Sequence, residues 1–129
     1  MIQKEITLCG KQVTLAYCYG TEISYKLLAD EECTDFVKEV IKGLKESRMP
    51  DSRKAIYLIM AAMTAYYENQ SKENPIEDKE LIFHASPDDI GLAIGTIVGM
   101  YIDFYKIPAG EPKDKEPKGN RVSRKSKNA

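Results

Sequence analysis

At 129 residues the chain has the length of one domain with a modest core. Apolar residues make up 43% and charged residues 30%, which excludes a wholly unstructured polymer, and a formal net charge of -1 argues against a whole-surface grip on nucleic acid. One His, no Trp and three Cys without a C-x-x-C pair leave little material for acid–base catalysis or a zinc site, so no catalytic residue, cofactor or metal is expected.

The near-zero charge hides an asymmetry. Residues 108–129 carry seven basic and three acidic side chains, a net of +4, whereas residues 1–107 hold 12 basic and 17 acidic ones, a net of -5. The expected organisation is a single α+β domain over residues 1–107 followed by a flexible basic tail over 108–129, rich in Gly, Pro, Lys and Ser. The start, Met1-Ile2-Gln3-Lys4-Glu5, shows no secretory leader, and the longest uncharged stretch of the C-terminal half, Ile90–Ile102, is too short for the ~20 residues of a membrane span. Reduced thiols and a cytoplasmic location are the matching expectation.

The first 19 residues alternate apolar and polar side chains, which predicts a β-hairpin with one buried face. With Gly10-Lys11 as a type II′ turn, Ile2 faces Tyr19, Lys4 faces Tyr17, Ile6 faces Leu15 and Leu8 faces Val13. Thr21 then caps a short helix to Ala29 whose apolar side is Ile23, Leu27 and Leu28. A second helix, about 34–46, spaces Phe36, Val37, Val40, Ile41 and Leu44 helically. The third, about 53–68, is apolar almost all round and is therefore expected at the centre. After a polar connection, Leu81-Ile82-Phe83 forms about one helical turn. Ser86-Pro87-Asp88-Asp89 is a strong start for a last helix running to about Lys106, where Pro108 stops it. The fold expected is thus a hairpin packed on four to five helices.

Each candidate site has a plain structural reading beside it. His84, the sole imidazole, has no catalytic signature around it, and the acid pairs Glu31-Glu32, Glu77-Asp78 and Asp88-Asp89 fall in loops and helix starts where acids belong. Gly91, Gly95 and Gly99 recur every fourth residue along the last helix and together cost roughly 3 kcal/mol of helix propensity. Close packing against Ala61, Ala62 and Ala65 of the third helix is the simplest compensation, and self-association or a partner groove is the other. Arg121, Arg124, Lys125 and Lys127 could touch nucleic acid, but the tail has no aromatic residue to stack on bases. A small nucleic-acid-associated regulator is therefore the second functional reading.

The segment Ile6-Thr7-Leu8-Cys9-Gly10-Lys11-Gln12-Val13-Thr14-Leu15, the helix opening at Thr21-Glu22, the apolar run Ala55–Ala62 and the Ser86-Pro87-Asp88-Asp89 start follow one another in a recognisable order. That order, over about residues 4–105, resembles the tail assembly chaperones of long-tailed bacteriophages and prophages. The resemblance implies a protein without enzymatic activity that binds the aggregation-prone tape measure protein, and keeps it soluble while tail tube subunits polymerise. It also implies tail tube protein as a further partner for an extended product. Ile97, Met100, Tyr101, Phe104 and Tyr105 are the expected client- or self-facing surface.

Overall fold

A computed structural model describes residues 1–107; the expected basic tail, 108–129, lies outside the described residues. Strands β1 (Ile2–Leu8) and β2 (Lys11–Tyr17) form an antiparallel hairpin. Five helices follow: α1 (Tyr19–Ala29), α2 (Cys33–Lys45), α3 (Ser52–Tyr67), α4 (Asp78–His84) and α5 (Pro87–Tyr105). This is the α+β architecture that the alternation and the helical spacings predict.

The hairpin differs from expectation in its turn. Cys9 and Gly10 are the two turn residues, both at positive φ (53° and 78°), which is the type I′ geometry that matches strand twist. Ile2 therefore lies opposite Tyr17, Lys4 opposite Leu15, Ile6 opposite Val13 and Leu8 opposite Lys11. The register has moved by two residues, not one, so every side chain keeps its expected face. Leu8, Val13, Leu15 and Tyr17 are all buried on the side that meets the helices.

Tyr19 is not part of a strand, because α1 begins there, capped by Cys18, three residues ahead of the start that a Thr21 cap implies. The local cause is Thr21. Its hydroxyl donates to the Ala16 carbonyl at 2.8 Å and accepts from the Cys18 N–H at 3.2 Å. A fully buried Thr thus joins the end of β2 to the first helical turn with one side chain.

Helix α3 is central, as its all-round apolarity predicts: Ala55, Leu58, Ile59, Ala61, Ala62 and Met63 are buried, and α3 packs against β2, α1 and α5. Asp51 caps it, accepting the Lys54 N–H. Ser86 caps α5 in a reciprocal box with Asp89, as read from the sequence. Helix α5 spans the hairpin from its turn to its open end and contacts both strands. No described helix is long and apolar enough to cross a membrane.

The Thr21 contacts make a direct prediction. Thr21→Val keeps the side-chain volume but strips the Ala16 carbonyl and Cys18 N–H of their partner, so urea unfolding should show a loss of about 1–3 kcal/mol. A change below about 0.5 kcal/mol would show that the hydroxyl is not what joins β2 to α1.

Candidate protein-docking surface

The residues expected to face a partner are mostly core. Ile97 and Met100 are fully buried and Tyr101 nearly so, because the bulky face of α5 (Ala93, Ile94, Ile97, Val98, Met100 and Tyr101) is the one laid on the hairpin and α3. Burying that face removes far more apolar area from water than burying a glycine stripe would. Gly91, Gly95 and Gly99 consequently point outward. Among the described residues nothing lies within 4 Å of where their Cβ atoms would be, so Ala61 and Ala62 do not oppose them. The close packing expected between the two helices is absent.

Phe104 and Tyr105 do reach the surface, at the far end of α5. Phe104 is half-buried and packs its ring on Tyr17 (centroids 5.5 Å apart) and edge-on to Tyr19 (5.2 Å). Tyr105 is exposed and lies edge-on to both Tyr101 and Phe104. Its hydroxyl donates to Glu22 Oε2 at 2.5 Å, and the buried Tyr17 hydroxyl donates to the same oxygen at 2.7 Å. One carboxylate on α1 therefore ties the end of β2 to the last turn of α5. Burial, with the neighbouring Cys33 and Glu22, pushes the Tyr17 phenol well above the ordinary range, and burial with the Glu22 contact raises Tyr105 as well.

Beyond this knot runs the surface that the sequence reading did not find. Tyr19, Ile23 and Leu27 follow at i, i+4 and i+8 on α1, so they share one face. They are 65%, 63% and 83% exposed, and Leu28 beside them is also exposed. The sequence pattern put Ile23, Leu27 and Leu28 on the buried side; the structure buries Thr21 and Tyr25 instead. Tyr25 stacks on Phe36 at 5.5 Å and its hydroxyl donates to Glu31, so a polar-tipped aromatic makes the core contact that an aliphatic residue was expected to make. The ring contacts join Tyr105, Phe104 and Tyr19 to Ile23 and Leu27 in one apolar strip. Charge beside it is largely balanced: Glu22 takes the two phenol hydroxyls, and past the end of α1 Glu32 pairs with Lys26 and Glu31 with Lys54.

The other candidates stay separate. His84 is exposed on the wall of an open cleft of about 440 Å³ between the hairpin turn and α4, where Lys11 pairs with Glu80 at 3.2 Å. Cys9, Cys18 and Cys33 are free; burial pushes the Cys33 thiol up to about 11. Among the described residues no three His, Cys, Asp or Glu side chains gather to hold a metal ion. No protein-family model, curated protein or solved structure matches the chain.

Two outcomes follow from this geometry. Gly95→Ala adds a Cβ in open space and should stabilise the fold by about 1 kcal/mol in thermal or urea unfolding, where a packed glycine would lose stability. The raised Tyr17, Tyr25 and Tyr105 phenols bind their protons more tightly folded than unfolded. Their contribution is intact below the ordinary phenol value of ~10 and is lost as pH climbs above it towards the raised folded values. Stability measured from pH 8 to 11 should fall, and Tyr17→Phe should flatten that fall.

Proposed function

We propose that this protein is a tail assembly chaperone of the phage or prophage type, a binding protein that shields an apolar helix of a long helical client. The observation that carries the reading is the exposed strip Tyr19–Ile23–Leu27, continued by Phe104 and Tyr105. Three large apolar residues at successive helical turns, each more than half exposed, are a costly surface for a small soluble domain unless a partner covers them. A helical client would lay its own i, i+3, i+4, i+7 face along α1. The order of elements that resembles the chaperone family adds the tape measure protein as the client and tail tube protein as a further partner.

The test is co-expression of the full chain with a helical tape-measure fragment from the same genome, followed by size-exclusion chromatography with light scattering. A soluble complex that is lost in the Ile23→Lys/Leu27→Lys double variant, with the variant's own melting temperature held or raised, is the expected result. A complex indifferent to that variant would move the client surface elsewhere. A fragment that precipitates equally with and without the protein would refute the chaperone reading.

A further inference from the structure

Hairpin β1–β2 has two outer edges, and among the described residues only one of them is closed. A two-residue turn makes Leu8 and Lys11 a hydrogen-bonded pair, so the ladder bonds recur at Ile6–Val13, Lys4–Leu15 and Ile2–Tyr17. The backbone groups of Gln12, Thr14 and Ala16 then point away from β1, and those of Gln3, Glu5 and Thr7 point away from β2. Contacts on the β2 side fit this phase. The Thr14 N–H donates to the Tyr67 hydroxyl at 3.0 Å, and the Ala16 carbonyl accepts from Thr21. Side chains of α3 and α1 thus occupy the outer edge of β2. Among the described residues, the backbone groups of Gln3, Glu5 and Thr7 make no such bond.

The side chains on β1 carry the same imbalance. Val13 and Tyr17 are fully buried, yet their cross-strand partners Ile6 and Ile2 are only half-buried, and among the described residues no strand stands beside them. An added strand would complete their cover and pair three N–H and three C=O groups at once.

A second copy of the chain fits this edge poorly. Closed dimers pair edge strands antiparallel about a twofold, and the outward groups of one β1 must meet the outward groups of the other. Odd-numbered residues therefore face odd-numbered residues. Full overlap sets Glu5 against Glu5, and a slide of one bonding step sets Lys4 against Lys4; like charges directly opposite are destabilising. The reverse slide leaves Lys4 against Leu8 and only Glu5 and Thr7 still bonding. The pairing that would match Lys4 with Glu5 joins an even residue to an odd one, so the hydrogen-bond phase forbids it.

We infer that the β1 edge is a docking site for an extended segment of a different protein, one that adds an antiparallel strand with apolar residues beside Ile2 and Ile6, an acidic residue beside Lys4 and a basic residue beside Glu5. This surface is distinct from the α1 strip and does not depend on the chaperone reading. The probe is the acetylated, amidated peptide Thr-Thr-Val-Lys-Glu-Thr-Val-Thr, which places Lys opposite Glu5 and Glu opposite Lys4 in antiparallel pairing. Amide hydrogen exchange on the full chain is the readout.

In the free protein the Gln3, Glu5 and Thr7 amides should exchange fast while Ile6 and Leu8 are protected; the peptide should slow the outward three by at least ~tenfold. Glu5→Lys, at an exposed position, should weaken the peptide by about fivefold, and a peptide carrying Glu in place of its Lys should recover the loss. Peptide N-methylated on the amides that face β1 should not bind. Outward amides already protected in a free monomer would mean that this chain covers its own edge and would overturn the proposal. Protection that instead tracks protein concentration, with a dimer mass by light scattering, would assign the edge to a second copy. No protection at millimolar peptide would leave the edge without the proposed role.

Discussion

The Tyr17 side chain sits where four elements meet, and the rest of the domain is arranged around it. It is the last residue of β2; its hydroxyl donates to Glu22 on α1 and lies 3.6 Å from Cys33 Sγ on α2, while its ring packs on Tyr101 and Phe104 of α5. A buried phenol needs a partner for its hydroxyl, and a carboxylate that is itself half-buried gains from a donor. That mutual need fixes the direction in which α1 leaves the hairpin, and so which of its faces turns inward. Because Tyr105 shares the same carboxylate oxygen, the end of α5 is placed by the same constraint.

The orientation of α1 has a price in exposed apolar surface. Once Thr21 and Tyr25 are directed inward, the i, i+4 row of Tyr19, Ile23 and Leu27 has nowhere to go but solvent. Polar-tipped residues hold the interior of this corner and aliphatic ones its exterior, the reverse of the usual partition. That reversal is the observation on which the proposed docking role of the α1 strip rests.

How much of this was legible in the sequence depends on whether a local signal had a competitor. Period-two alternation over the first residues has none, so the hairpin and its buried face could be read; the turn could not, because sliding the register by two residues leaves every face unchanged. Ser86-Pro87-Asp88-Asp89 contains cap, first-turn proline and acids together, and α5 begins there. On α1 both faces carry apolar groups, and the choice fell to hydrogen bonds from Thr21 and Tyr25 whose partners, Ala16 and Glu31, lie outside the helix. On α5 the glycines and the bulky residues occupy opposite faces, and spacing alone could not say which one meets the hairpin. Spacing therefore offers Ile97, Met100 and Tyr101 to the surface as readily as to the core, and it offers the Tyr19–Ile23–Leu27 row to the core as readily as to solvent.

The hairpin is made well before α5, the helix that covers it. At synthesis rates of ~5–20 residues per second, the apolar face of Leu8, Val13, Leu15 and Tyr17 waits several seconds for α5 to leave the ribosome. During that interval Tyr17 has no aromatic neighbours from α5 and the two strands rest only on what α1 and α3 supply. The nascent chain thus passes through a stage in which it resembles the clients it is proposed to serve, an apolar surface awaiting its cover.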